Sequence, residues 1–325
     1  SASRGFSVIE HRSEEVAPAM AGERLDRFVA MLGDLSRSDA TALVKAGAVT
    51  VGGAVSTKPS LRVAEGDLVA AEIERREHVL EPDPSIEVPV VHVDDDVIVV
   101  DKPAGLVVHP GAGLREGTIV NGLLARFPDM AGVGGDPDRP GVVHRLDKGT
   151  TGVMMFARTE DAHADLTGQL AARTVERRYL TLAWGSPEAN EGLIDAPLGR
   201  SPRDATRQAV VAGGRDSRTH YTVAQRADGG VAALLWCRLE TGRTHQIRVH
   251  LEAIGHPVVG DDRYGARRRR DPGIPDALYD LDRPFLHAAH LGFRHPSSGE
   301  HLAFDSPLPD GLRQVAAALS IDPDA

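Results

Sequence analysis

The chain has 325 residues, 41% of them hydrophobic, enough for one large domain or a large domain with a small companion. No apolar run approaches the roughly 18 residues of a membrane span, and the N-terminus SASRGFSVIEHRSEE lacks the apolar stretch of a secretion signal, so a cytoplasmic protein is expected. A single cysteine, Cys237, permits neither an internal disulfide nor a Cys-x-x-Cys zinc site, and its neighbours Leu234, Leu235, Trp236 and Leu239 read as a strand that buries it. The formal charge of −10 does not exclude a nucleic-acid partner. Charges further apart than the ~8 Å Debye length barely interact, so local basic patches decide affinity for phosphate.

In chain order, residues 1–20 carry no sustained period and are expected to be flexible. A compact unit follows over 21–76. Leu25, Phe28, Val29 and Leu32 recur at helical spacing, Ser36 caps a second helix through Leu43-Val44, and Val49-Thr50-Val51-Gly52-Gly53 reads as a strand and turn. Residues 77–89, with three prolines and several acids, read as a linker. Beyond it, residues 90–325 form a larger strand-rich domain: 88–93, 97–100 and Leu106-Val107-Val108 are predicted strands. The glycines of HPGAGLREG fit neither a Walker loop nor a Rossmann fingerprint and are read as an ordinary loop.

The stretch GVVHRLDKGTTGVMMFA, 141–157, sets a charged HRLDK between two strand-like runs. Asp147 thus falls on a connection, where functional groups are commonly carried, although Asp-x-Gly is also ordinary turn chemistry. The strand ERRYLTLAWG puts Leu180, Leu182 and Trp184 on one face and Tyr179 and Thr181 on the other. A helix over 244–254, THQIRVHLEAI, is predicted with Thr244 as its cap; Ile247, Leu251 and Ile254 form its apolar stripe and Arg248 lies on a different face. The run Arg267-Arg268-Arg269-Arg270 reads either as a solvated loop or as an RNA-phosphate contact. Fourteen histidines, including the pairs His287/His290 and His245/His250, raise a metal hydrolase as a rival, but no His-Glu-x-x-His is present.

Two resemblances connect these pieces. The string RLDRFVAMLGDLSRSDATALVKAGAVTVGGAVSTKPSLRVAEGDLV resembles the S-four-type RNA-binding domain, which implies Arg24, Arg37, Ser38 and Lys45 as phosphate contacts. Residues 23–67 hold six basic and six acidic side chains, so this module is neutral where its family is usually basic. It is expected to position RNA held elsewhere. The ordered set DKPAGLVVHP, GVVHRLDKGTTG, RRYLTL, ETGRTHQIRVH, HPVVGDDRYG and FLHAAHLGFRHPSSGE is similar to the Rlu-type ribosomal large-subunit pseudouridine synthases, nearest to the D-type members that carry an S-four-type domain.

That resemblance implies an α+β fold, a bent, mixed and mostly antiparallel sheet, with the small N-terminal α+β domain beside it. It implies Asp147, Tyr179 and Arg248 as catalytic residues, and Arg145, Arg243, His245 and Gln246 as substrate contacts. It implies a monomer acting on large-subunit ribosomal RNA or the large subunit, with the helix 69 loop of the 23S RNA as target. Uridine isomerisation moves the sugar's anomeric carbon from a ring nitrogen to a ring carbon; nothing is oxidised, so no redox cofactor is demanded. A carboxylate can add to sugar or base, or abstract a sugar proton. Ionisation of a buried aspartate needs a partner, because burial against an uncharged wall raises its pKa by up to ~3–5 units. Arg248 is that partner. The target base, stacked in RNA, must be flipped out, and Arg145 would fill the gap. The module at 21–76 alone would also suit a non-catalytic RNA-binding or ribosome-assembly protein.

Overall fold

A computed structural model describes residues 7–76, 80–111, 114–204, 206–265 and 269–323, and divides the chain into two compact units, Ser1–Val79 and Leu80–Ala325. In the first unit the elements are β1 (Ser7–Glu15), α1 (Leu25–Gly33), α2 (Arg37–Lys45), β2 (Val49–Val51), β3 (Ala54–Val55) and β4 (Leu68–Arg76). The strands form one antiparallel sheet ordered β1-β4-β2-β3. Leu25, Phe28 and Val29 of α1 pack with Ala40 and Val44 of α2 and Val69, Ala71 and Ile73 of β4. Ser36 caps α2, its Oγ accepting from the Asp39 amide at 3.1 Å.

The flexible segment expected over 1–20 is corrected by β1, which pairs with β4 from Ser7 opposite Arg76 to Glu15 opposite Leu68. Ladder hydrogen bonds hold this strand. Its mixed polar sequence has no apolar period to reveal it. Residues 1–6 lie outside the described residues.

The second unit contains β5 (Val90–Val93), β6 (Val97–Lys102), α3 (Ile119–Arg126), β7 (Thr151–Ala157), α4 (Glu160–Ala171), β8 (Glu176–Trp184), β9 (Glu191–Asp195), β10 (Leu198–Arg200), β11 (Gln208–Val210), β12 (Arg218–Arg226), β13 (Ala232–Leu239), α5 (Gln246–Ala253), α6 (Asp276–Tyr279), β14 (Leu286–Arg294), β15 (His301–Asp305) and α7 (Asp310–Ala317). Nine strands form one sheet ordered β5-β6-β7-β14-β8-β13-β12-β9, with β15 added to β14; β10 and β11 make a separate hairpin. The fold is α+β and mostly antiparallel, as expected, with β7 and β14 paired in parallel.

Strand alternation explains why the middle of this sheet is buried on both faces. Ile98, Val100, Met154 and Phe156 point into one core with Ile119 and Leu123 of α3 and Leu312 of α7. Val97, Val99, Val153 and Met155 point into another with Ala162 and Leu166 of α4. Cys237, on β13, is buried in the first core as expected.

Three local expectations change. Leu106–Val108 is not a strand, because the carbonyls of Val107 and Val108 accept from the Ile119 and Val120 amides, at 2.9 and 3.1 Å, at the start of α3. From Leu80 the proline-rich linker lies against the second unit: Leu80 is buried, and Asn121 Nδ2 donates to the Glu81 carbonyl at 2.8 Å; residues 77–79 lie outside the described residues. The helix predicted from Thr244 begins at Gln246, with His245 in the N-cap position.

Gly152 lies where β7 and β14 pair in parallel. Its φ is +112°, and a Cβ there would lie 2.1 Å from the Ala288 carbonyl oxygen. Gly152→Ala is therefore expected to destabilise the second unit by ~2–3 kcal/mol. Urea denaturation of full-length protein checks this; an unchanged midpoint would show that the strand pair can yield.

Candidate active site

The loop between Val142 and β7 carries Asp147 and is fixed from several sides. Lys102, at the end of β6, is 1% exposed, and its Nζ donates to the carbonyls of Pro103, Lys148 and Thr150 at 2.9, 3.2 and 2.8 Å. The Gly105 amide also donates to Lys148 O at 2.8 Å, and Arg283 Nη1 donates to Gly149 O at 3.2 Å. His144 Nε2 accepts from the Met155 amide at 3.1 Å, which requires that nitrogen to be unprotonated. Burial pushes the Lys102 ammonium down to about 8; the Asp147 charge pulls it back up and Arg283 pushes it down again. The role of Lys102 in DKPAG was missed by sequence reasoning. An ammonium with three carbonyl partners leaves no spacing signal.

Opposite the loop, α5 presents Arg248. Its guanidinium makes a bidentate pair with Asp261, Nε to Oδ2 at 2.6 Å and Nη2 to Oδ1 at 2.8 Å, and its remaining Nη1 donates to Asp147 Oδ2 at 3.1 Å. Asp261 Oδ1 also accepts the amides of Arg263 and Tyr264, each at 3.0 Å. Burial alone would push the Arg248 guanidinium down, but hydrogen bonding and charge from Asp261, then Asp147, hold it well above its usual value. The expected pairing of Arg248 with Asp147 is present. Asp261 was not singled out, although it lies in the noted segment HPVVGDDRYG.

His245 precedes α5 with φ +57°, a left-handed conformation that disfavours a non-glycine residue. Its Nδ1 lies 2.7 Å from Tyr264 Oη, and its Nε2 lies 3.8 Å from Asp147 Oδ1. Tyr264 Oη in turn accepts from the Gln208 amide at 2.9 Å. Burial pushes the His245 imidazole down, with Asp147 opposing and Arg248 reinforcing the change.

Asp147 opens onto a cleft of about 670 Å³ lined by Arg139, Arg145, Arg173, Arg177 and Arg243, with Tyr179 and His245. Tyr179, on β8, is 6% exposed; burial pushes its phenol up, Arg177 opposes this, and Asp147 adds to it. Arg145 and Arg243 are exposed at the cleft, and Arg243 Nε donates to Asp216 O at 3.3 Å.

Gln246 also lines the cleft, but its amide is fully engaged within the protein. Its oxygen accepts from Thr241 Oγ1 at 2.8 Å and the Arg243 amide at 3.0 Å, and its nitrogen donates to Arg218 O and Thr219 Oγ1, both at 3.0 Å. The expected substrate contact is thus corrected to a scaffold that fixes the turn before α5.

The histidines of the metal reading have other partners. His287 lies between Thr151 Oγ1 and Ser306 O at 2.9 Å each, and His250 between Thr219 Oγ1 at 2.9 Å and Ala196 O at 3.0 Å.

In the N-terminal unit, Arg24 is held by buried Asp26 through bonds of 3.0 and 2.7 Å, which pull the Asp26 carboxyl below its usual range. Arg37, Ser38 and Lys45 are exposed along α2; Ser38 Oγ lies 2.7 Å from Ser36 Oγ. Of the arginine run, Arg267 and Arg268 lie outside the described residues, whereas Arg270 pairs with Asp276 and Asp280 and stacks on Tyr279.

Residues 96–253 match the family model described as RNA pseudouridylate synthase, and residues 23–69 match that of the S4 domain. A Nitrosomonas europaea protein named ribosomal large subunit pseudouridine synthase D is 43% identical over 98% of this chain and 91% of its own length. Its namesake in Pseudomonas aeruginosa is 41% identical over 98% and 99%. The chain belongs to the pseudouridine synthase family. Among solved structures, human RNA pseudouridylate synthase domain containing 1 is 25% identical, with a TM-score of 0.55, covering 73% of this chain and 90% of that one.

Asp147 of this synthase therefore depends on a loop held by Lys102. The lysine's folded value of about 8 lies below the ordinary lysine value of 10.5, so the unfolded chain binds more protons between those values. Its contribution to stability is complete above the higher value and is lost as pH falls through about 8. The stability difference between wild type and Lys102→Met is expected to grow by at most ~3 kcal/mol from pH 8 to 10.5. Urea denaturation at stepped pH measures it; a flat difference would uncouple this ionisation from folding.

Proposed function

We propose that this synthase isomerises uridines in large-subunit ribosomal RNA, with the loop of helix 69 of the 23S RNA as its target. The observation that carries this reading is one carboxylate, Asp147, held by Arg248 at the mouth of a cleft that also contains Tyr179 and five arginines. Support for the ribosomal substrate comes from the named relatives.

On this reading the target uridine is flipped out of its stack into the cleft, and Arg145 occupies the space it leaves. Unstacking costs a few kcal/mol, least in a single-stranded loop. The glycosidic C1′–N1 bond breaks, the base turns while still in the cleft, and a C1′–C5 bond forms. C5 loses a proton and N1 gains one, so the product is an isomer and no cofactor is required. Asp147 supplies the anion that adds to the substrate or takes a proton. Arg248 pairs with that carboxylate and directs it. Tyr179 stacks on the uracil ring and stands where the C5 proton must leave. The N-terminal unit positions the RNA through Arg37, Ser38 and Lys45, while Arg24 is oriented by Asp26.

The test is to incubate 23S transcript, large subunits and a helix 69 stem-loop with wild type and Asp147→Asn, then map pseudouridines by carbodiimide-dependent primer-extension stops. Wild type is expected to mark the helix 69 loop, and Asp147→Asn to leave every uridine unchanged while binding RNA within a few-fold. Marks confined to other stem-loops would remove the helix 69 assignment but leave the reaction. Marks made equally by the variant would remove Asp147 from the chemistry.

A further inference from the structure

Arg177 differs from every other buried charge around the cleft. It lies two residues before Tyr179 on β8, on the same side of the strand, and is 6% exposed. Its Nε is buried without a hydrogen-bond partner, and Nη2 has only a long 3.4 Å contact to the Glu240 carbonyl. Among the described residues no carboxylate lies within salt-bridge distance of it. The nearby Glu240 side chain is taken by His220 at 2.6 Å and Arg173 at 2.9 Å, and Asp147 by Arg248 at 3.1 Å.

A buried cation without a counter-charge is destabilising in the free protein. Burial accordingly pushes the Arg177 guanidinium down, and Tyr179 pulls it back only in part. Nevertheless the surrounding chain makes room for it. A Cβ on Gly242 would lie 2.7 Å from Arg177 Nη1, so the fork occupies space that a larger residue there would contest. A cationic fork, buried at the wall of an open cleft and short of acceptors, calls for an anion brought from outside.

Resting on the reading of this cleft as an RNA isomerisation site, we infer that Arg177 is its phosphate subsite, taking the phosphodiester that flanks the flipped uridine. RNA offers anions of only that kind, and a planar guanidinium donates two parallel hydrogen bonds to a phosphate as a lysine cannot. The spacing supports it: two residues on a strand span about 6.6 Å, so a ring seated against Tyr179 leaves the backbone of the same nucleotide near Arg177. Arg173 and Arg243 extend the basic wall from that point. The phosphate would thus act as a stop that sets how deeply the nucleotide enters.

The experiment compares wild type, Arg177→Lys and Arg177→Met on the RNA that wild type modifies, carrying single methylphosphonates at the phosphates flanking the target uridine. Expected are a KM raised roughly 10- to 100-fold in Arg177→Met, the span of one charge-assisted contact, and partial rescue in Arg177→Lys. One methylphosphonate should weaken wild type by a similar factor and leave Arg177→Met unaffected. Thermal unfolding of free Arg177→Met should occur no lower than wild type, because an unpartnered buried charge has been removed. A lowered unfolding temperature with unchanged KM, or equal methylphosphonate effects in both proteins, would overturn the subsite. Inorganic phosphate gives an arm independent of RNA: titrated into full-length protein, it should shift the Arg177 15Nε resonance saturably. That shift without pseudouridine formation on any ribosomal RNA would keep the subsite and reject the proposed reaction; no shift at millimolar phosphate together with unaltered KM in Arg177→Met would reject the subsite alone.

Discussion

One guanidinium shared between two carboxylates organises the site. Asp261 takes two of the three Arg248 nitrogens and Asp147 the third, through Nη1 alone. The arrangement matters because a fork facing Asp147 squarely would occupy both of its oxygens. Here Asp261 turns the fork aside, so that Arg248 reaches Asp147 through Oδ2, while His245 Nε2 lies 3.8 Å from Oδ1. Three ionised groups sum to one negative charge. The anion is held in place without being neutralised, as a carboxylate must be if it is to attack or accept a proton.

The same balance explains how a chain of charge −10 can serve a polyanion. Five arginines line the cleft, against Asp147 and Glu240, and both acids are already paired with arginines. Of the cleft arginines, Arg139 also has Asp136 3.5 Å from its Nε, while acidic residues further away than the ~8 Å Debye length are screened from the cleft. Residues 23–67 of the N-terminal unit, neutral by count, fit this division. A neutral module adds registration with little nonspecific attraction, leaving most of the charge beside the chemistry.

Legibility of the fold followed periodicity. Helices α1 and α2 and strands β6, β7, β8 and β13 bury a regular apolar pattern, which spacing reveals. Strand β1 does not: SVIEHRSEE has no apolar alternation and is defined by its ladder with β4. Leu106–Val108 erred in the opposite direction, since three apolar residues suggested a strand where their carbonyls serve the start of α3. At the site, Asp147, Tyr179 and Arg248 stood out through their motif segments, and the structure brings Asp147 and Tyr179 to one cleft and pairs Arg248 with Asp147. Gln246 came from such a segment too, yet its amide is consumed by the turn it braces. Lys102, Asp261 and Arg177 were passed over because their importance lies in partners 13 to 63 positions away, or in the absence of one. No single-chain pattern records that.

Several unfavourable features of the second unit gather around the cleft. A histidine with left-handed φ, a lysine sealed among carbonyls and an arginine lacking an anion all surround Asp147. Away from it, the sheet is apolar on both central faces and its strands pair in the order β6, β7, β14, β8 and β13. Rigid scaffold and strained centre depend on each other. The hydrogen bond from Lys102 Nζ, at the end of β6, to the Thr150 carbonyl just before β7 ties the loop to the sheet, which fixes the backbone that carries Asp147. Local rules of satisfaction fail where substrate atoms complete them. On the proposed reading, an RNA nucleotide would bring an anion to the Arg177 guanidinium and a flat ring to the Tyr179 phenol.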